Sequence, residues 1–266
     1  EEIAWRYMRW FYGQMDVVYA PSKFYLERLK DRGLEEDRLR LLPRGVDRAR
    51  FSPSRRDPAF WGRFGLDDSF KFLYVGRISK EKNLDALIRA FMALTAEARR
   101  AQLVLVGEGP YLEELRQRYP RPEILFTGYL NGDDLAVAYA SADAFVSAST
   151  SDTFGNAALE AQASGLPAVV SDEGGAREVV ADAASGWVVD VFQAGQLESA
   201  MRNLLEDGDA RARMAELSVK QAHRSSWEAL LEELWDRDDP LDVSEDTLLL
   251  SRIPRSRSSF IPELHL

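Results

Sequence analysis

The chain has no cysteine and only two histidines, His223 and His265, among 266 residues. A disulfide framework and a thiolate metal site are thereby excluded. A histidine-based zinc site and a Ser-His-Asp triad are disfavoured, because both histidines fall in the C-terminal region. No run of 18 apolar residues is present, so the sequence offers no membrane-spanning helix. A positive charge balance is also lacking: 34 Lys and Arg face 44 Asp and Glu, for a net charge of -10. Such a chain is a poor general binder of nucleic acid, whose phosphates it would repel. The opening Glu1-Glu-Ile-Ala-Trp5 contains neither Met nor a basic leader, so the chain reads as a fragment and not as a secreted precursor.

What is present is a hydrophobic content of 45%, enough for a substantial core, and a regular alternation of strands and helices. Short apolar runs lie at Lys71–Gly76, Leu103–Gly107, Glu123–Gly128, Ala144–Ser147, Ala168–Ser171 and Gly186–Val189. Between them Leu84, Leu87, Ile88, Phe91 and Leu94 repeat at helical spacing. Tyr111 to Arg118 and Asp133 to Ala140 read as further helices. Continuous apolar strands alternating with helices predict an α/β fold, a Rossmann-like parallel sheet covered on both faces. Ligands of such sheets sit at the carboxyl ends of the strands. Upstream, Asp16–Ser22 reads as a strand and Lys23–Arg32 as a helix.

The most informative segment is Asp152-Thr-Phe-Gly-Asn-Ala-Ala-Leu-Glu160, followed by Ala-Gln-Ala-Ser-Gly165-Leu-Pro167. Its two carboxylates stand eight positions apart, Asp152 in the loop before an Ala-rich helix and Glu160 more than one turn inside it. One groove at the helix mouth is expected to be touched by both acids and by free backbone N–H groups. That suits a ligand carrying several hydroxyls and a phosphate, since hydroxyls donate to carboxylates and a helix N-terminus holds phosphate. The plain alternative is a helix cap at Asp152 and a solvated Glu160.

This segment resembles the acid-x7-acid signature of retaining GT-B glycosyltransferases of family 4, group 1, in which Glu is commoner at both ends. Gly76-Arg77-Ile-Ser-Lys80-Glu-Lys82-Asn83 resembles the family's Gly-Arg…Lys loop. The resemblance covers about residues 12–235, and its wording is closest to GDP-mannose-dependent α-mannosyltransferases. It implies that Arg77 and Lys82 bind the donor diphosphate, with Lys80 the competitor for Lys82. Fixed cations there would stabilise the charge that builds on a departing diphosphate. It implies that Asp152 contacts the sugar hydroxyls and Glu160 the ribose hydroxyls. Phe154, Gly155 and Asn156 would offer backbone N–H groups near the sugar. Gly76 opens the cationic loop, and Tyr129 and Leu130, after Phe126-Thr-Gly128, would meet the base. Two other glycine-bearing stretches, Gly107-Glu-Gly109-Pro110 and Asp172–Glu178, are read as structural turns.

The implied activity is transfer of a hexose, mannose by wording, from a nucleoside diphosphate sugar to an acceptor hydroxyl with retention, with no cofactor and no metal. The base, GDP or UDP, stays open, as does the lipid or glycan nature of the acceptor. Residues 1–42 are read as the tail of an N-terminal Rossmann domain and its crossover. Residues 43–235 are read as the nucleotide-sugar-binding domain with its returning C-terminal helix, and 236–266 as a disordered tail. The aromatic face of Trp5, Trp10, Phe11 and Tyr12 is expected to be left exposed. The full enzyme is expected in the cytoplasm, associated peripherally with the inner face of the membrane. The alternatives are a nucleotide-sugar-binding module inactive without a partner N-terminal domain, and a dinucleotide-dependent oxidoreductase. The second is weakened by the missing third Gly of a dinucleotide fingerprint near Gly107.

Overall fold

The computed structural model describes residues 2–96, 100–181 and 184–236. The first helix, α1 (Glu2–Tyr12), leads to β1 (Val18–Ala20), α2 (Lys23–Asp31) and β2 (Leu39–Leu41). β1 and β2 pair in parallel, Val18 beside Leu39. Trp5 and Tyr12 pack against a small cluster of Val18, Ala20, Leu29 and Leu39. The aromatic face expected to be exposed is thus divided: Trp10 and Phe11 are exposed, 62% and 40%, whereas Trp5 and Tyr12 turn onto that cluster. The reason is helical geometry, since residues 5 and 12 are seven apart and share a face.

The main sheet comprises β3 (Phe70–Val75), β4 (Ala101–Val106), β5 (Ile124–Gly128), β6 (Ala144–Ser147), β7 (Ala168–Ser171) and β8 (Gly186–Val189). All are parallel, in the order β5-β4-β3-β6-β7-β8. The helices are α3 (Leu84–Thr95), α4 (Leu112–Arg118), α5 (Gly132–Ala140), α6 (Asn156–Ala163), α7 (Ala176–Ala181), α8 (Gln196–Glu206), α9 (Gly208–Arg224) and α10 (Trp227–Asp236). Successive strand residues point to opposite faces, and both faces are apolar. Leu73, Val104, Phe145 and Val170 pack with α5, α6 and α7 on one side. Phe72, Leu103, Leu105, Val146 and Val169 pack with α3, α4 and α8 on the other. Trp61 closes one end of the first layer, its indole N–H donating to Ser141 O at 2.9 Å.

Chain order reverses between β3 and β6. From β3 the chain builds outward through β4 and β5, then returns to the other side of β3 for β6, β7 and β8. A crevice opens at the carboxyl ends of strands at such a switch point, and the loops leaving β3 and β6 therefore face one another.

The N-terminal unit is held to the main one by polar contacts. Ser22 caps α2 by accepting from Tyr25 N at 3.1 Å and donates to Thr153 O at 2.5 Å. Glu178, from the first turn of α7, accepts from Lys23 N at 2.9 Å and Phe24 N at 2.6 Å. A carboxylate at a helix N-terminus satisfies orphan N–H donors and opposes the dipole. The Asp172–Glu178 loop, expected to be structural, acquires this contact as well. Trp227 at the start of α10 packs on Gly45, where an added Cβ would come within 2.6 Å of the indole. The tail expected to be disordered lies, from residue 237, outside the described residues. Among the described residues, no helix is long and apolar enough to cross a membrane.

Candidate functional site

A cavity of about 440 Å³ occupies the switch point. Its walls come from the end of β3 and its loop (Tyr74 to Arg77, then Glu81 and Lys82), from Phe145 and Ser147 of β6, and from 152–158. Arg44 and Ala176 complete the lining. Of the residues singled out in the sequence, Gly76, Arg77, Lys82, Asp152, Phe154, Gly155 and Asn156 all line it.

The two lysines of this loop point in different directions. Lys80 is directed away, 3.5 Å from Glu114 and over the ring of Tyr111, and its side chain is 73% exposed. Lys82 points inward, its Nζ 2.6 Å from Asp152 Oδ1 and 3.3 Å from Ser149 Oγ. Between them runs a 3-10 turn, Lys80–Lys82, closed by Asn83 in the left-handed region at φ 53°. Asn is one of the few residues that tolerates that conformation. Its side chain donates to Ala148 O at 3.1 Å and Thr150 Oγ1 at 3.4 Å, tying the β3 loop to the β6 loop.

Gly155 opens α6 at φ 101°, and a Cβ there would lie 2.7 Å from Ala176 Cα. Only Gly fits this turn. α6 has no side-chain cap, so the first N–H groups of a helix whose opening residues line the cavity are offered to whatever occupies it. The following loop is packed tightly behind: Gly175 N donates to Asp152 O at 2.7 Å, and a Cβ on Gly175 would sit 2.5 Å from Thr153 O.

Glu160 is placed differently from the expectation of one shared groove. It lines an adjoining cavity of about 210 Å³ with Gly45, Val46, Asp47, Phe51, Leu159 and Trp227, and the two cavities share Arg44 and Asn156. Glu160 is the fifth residue of α6, so its Cα lies about 6 Å along the axis from that of Asn156. Tyr139, wholly buried, donates its hydroxyl to Glu160 Oε2 at 2.8 Å. Burial pushes the Glu160 carboxyl above its ordinary range, while the Tyr139 hydrogen bond and the charge of Arg50 pull it back. Burial likewise pushes up the phenol of Tyr74, and the nearby Asp152 adds to the effect. Tyr74 donates to Arg77 O at 3.0 Å, fixing the backbone of the cationic loop.

Tyr129 and Leu130 lie outside the lining of both cavities. Tyr129 is 67% exposed just beyond β5, and Leu130 packs partly against the core. Gly107 and Gly109 serve packing, as expected for a structural turn. A Cβ on Gly107 would fall 1.9 Å from Gly76 O, and one on Gly109 2.2 Å from Ile78 O. This close approach is sealed by Ile78 N donating to Glu108 O at 2.8 Å.

Arg44, Tyr74, Tyr139 and Glu81 were given no role in the sequence, and Asn83 appeared there only as the end of the cationic loop. Tyr74 falls within the apolar run 71–76 and Tyr139 within the helix 133–140, and neither stretch carries a signal of its own for the site. Only the fold brings Arg44, from the segment after β2, across to α6. Among the described residues, no three His, Asp or Glu side chains group in a way that could hold a metal ion.

A family model described as glycosyl transferases group 1 matches residues 62–221, and one described as Glycosyltransferase Family 4 matches residues 1–50. The sulfoquinovosyl transferase SQD2 of Arabidopsis thaliana is 32% identical over 231 residues, 85% of this chain and 44% of that protein. A GDP-mannose-dependent alpha-mannosyltransferase of Corynebacterium glutamicum is 30% identical over 256 residues, 94% of this chain and 58% of that one. The chain thus spans about half the length of these relatives. Among solved structures, Anabaena HepE in complex with UDP-glucose superposes with a TM-score of 0.79 at 21% identity, covering 88% of this chain and 67% of that one. The first family model covers more than half of the chain, and the six-stranded parallel sheet is that of a GT-B Rossmann-like domain: the chain belongs to the group 1, family 4 glycosyltransferases.

Proposed function

We propose that this chain is the donor-binding part of a retaining glycosyltransferase that moves a hexose from a nucleoside diphosphate sugar to an acceptor hydroxyl. The observation that carries the reading is the switch-point cavity, where Arg77 and Lys82 face the uncapped start of α6. Cations and helix N–H groups converging on one space suit a diphosphate. As the sugar–phosphate bond breaks, charge grows on the departing diphosphate, and groups already aimed at it lower the barrier. In this reading Glu160 accepts from the ribose hydroxyls, Asp152 serves the sugar, and the N–H groups of Phe154, Gly155 and Asn156 line the sugar side. Gly76 shapes the cationic loop. Tyr129 and Leu130 flank the base beyond β5, which requires the base to extend out of the cavities along that strand end.

The donor sugar we favour is mannose carried on GDP, on the wording of the 152–167 segment and the similarity to mannosyltransferases. The relatives include one protein named for sulfoquinovose transfer, and HepE is seen with UDP-glucose, so UDP-glucose is the competing donor. We assign residues 1–42 to the end of an N-terminal Rossmann domain and its crossover, and 43–235 to the donor domain. The two-stranded β1–β2 sheet and the exposed aromatic residues of α1 support a partner domain there. An acceptor must be held against the sugar, and positioning supplies much of the rate. The chain joined to a matching N-terminal domain is expected to transfer radiolabelled mannose from GDP-mannose to a lipid or glycan acceptor, and the chain alone to transfer little. Faster transfer from UDP-glucose than from GDP-mannose would replace the donor. Equal turnover by the chain alone would favour a self-contained site.

A further inference from the structure

Lys82 and Asp152 stand apart from the other charged residues of the cavity, because each already has a partner of opposite sign. We propose that Asp152 is the resident anion of the Lys82 position, and that a diphosphate binds by displacing it, which frees the Asp152 carboxylate for the sugar. This inference rests on the donor-site reading above.

The cavity is lined by Arg44, Arg77 and Lys82 against Glu81 and Asp152. Glu81 is engaged by Ser79, whose hydroxyl donates to it at 2.7 Å. Of the two cavity carboxylates, Asp152 is the one that pairs with Lys82, at 2.6 Å, with the two side chains 26% and 19% exposed. A pair so shielded is screened less than a surface pair. An incoming diphosphate and the Asp152 carboxylate then compete for the same ammonium, and two anions crowded on one cation repel each other.

The loops that carry the pair are fixed, so the exchange involves side chains. Asn83 pins the turn bearing Lys82 to Ala148 and Thr150 of the opposite loop. Asp152 is anchored through its carbonyl, which accepts from Gly175 N at 2.7 Å. What can move is the carboxylate, a short side chain with two rotatable bonds, and the Lys82 ammonium, which keeps Ser149 Oγ as a neighbour at 3.3 Å. The residue type matters. Asp, one methylene shorter than Glu, lies where it reaches Lys82 directly. Sugar recognition at Asp152 is then conditional on phosphate occupancy: a free sugar meets a carboxylate already committed to Lys82.

The test is a calorimetric titration of the chain, of Asp152→Asn, of Lys82→Ala and of the double variant. The probes are GDP and UDP, with guanosine and uridine as references. Displacement predicts that Asp152→Asn binds the diphosphate about fivefold or more tightly than the parent does, since the internal competitor is gone. Nucleoside affinity is expected to stay unchanged, and the gain to vanish in the Lys82→Ala background. Thermal unfolding of each variant confirms that it is folded, and Asp152→Ala serves as a second removal of the charge. If Asp152→Asn and Asp152→Ala weaken diphosphate binding instead, Asp152 orients Lys82 for phosphate and the displacement idea is overturned while the donor-site reading stands. If the parent itself binds GDP and UDP no better than the nucleosides, the donor-site reading fails and this inference fails with it.

Discussion

Replacing Tyr139 by Phe removes one hydroxyl from the interior and leaves the ring packing, edge-on to Phe51 with centroids 5.6 Å apart, in place. The lost interaction is a 2.8 Å hydrogen bond to the carboxylate of Glu160. A hydrogen bond to a charged group contributes about 1.5–3 kcal/mol. In a domain of this size, 1 kcal/mol moves the unfolding midpoint by about 2–4 °C, so the variant is expected to melt about 3–12 °C lower at neutral pH. The loss must depend on pH, and its sign follows from the site. Burial raises the Glu160 carboxyl above the usual range, and the Tyr139 hydroxyl favours the ionised form. Its contribution is therefore complete above the titration of Glu160 and shrinks as acid protonates that group. The assay is thermal unfolding of parent and Tyr139→Phe between pH 8 and pH 4.5, repeated in a Glu160→Gln background. The gap is expected to narrow toward low pH and to be small at every pH when Gln replaces Glu160. A gap of constant size across the range would show that the hydroxyl acts through packing, and the reasoning would be refuted.

Other expectations concern the opening of α6, the cations and the contact between the two units. Gly155→Ala forces a side chain onto Ala176 at a left-handed position, and should cost about 1–3 kcal/mol by denaturant unfolding as well as weaken nucleotide binding. An unchanged midpoint would mean the loop relaxes freely. Arg77→Ala should lose about tenfold in affinity for GDP or UDP while leaving guanosine or uridine nearly untouched; equal losses would move Arg77 away from the phosphates. Glu178→Gln weakens the acceptor at the start of α2, so the amides of Lys23 and Phe24 should exchange with solvent faster, with a stability loss of about 0.5–2 kcal/mol. Unaltered exchange at both would assign the attachment of α2 to Ser22 and apolar packing.

The sheet was legible because its strands are buried on both faces. Leu103 to Val106 and Ala168 to Val170 read as continuous apolar runs, and they lie within β4 and β7. The helix after Asp152 was equally visible, since an Ala-rich run is a local signal, whereas the left-handed conformation of Gly155 appears only in the structure. What local pattern could not show was which cavity each acid enters. Eight residues of spacing placed Asp152 outside the helix and Glu160 within it, yet the division between two adjoining cavities depends on Arg44 and Trp227, which arrive from the segment after β2 and from α10. The Lys82–Asp152 pair spans 70 positions in sequence. It exists because chain order reverses between β3 and β6, a property of topology that no window of residues carries. Tyr139 was indistinguishable from a core aromatic for the same reason: its ring is one, and only its hydroxyl reaches Glu160.

The central claim is that the crevice between β3 and β6 is built for the diphosphate of a nucleotide sugar. It is tested most directly by calorimetric titration of this chain with GDP, UDP and NAD. Binding of GDP or UDP that is abolished or strongly weakened by Arg77→Ala, with NAD bound more weakly than both, is the predicted result. Tighter binding of NAD than of either diphosphate, or diphosphate binding indifferent to Arg77→Ala, would contradict the claim.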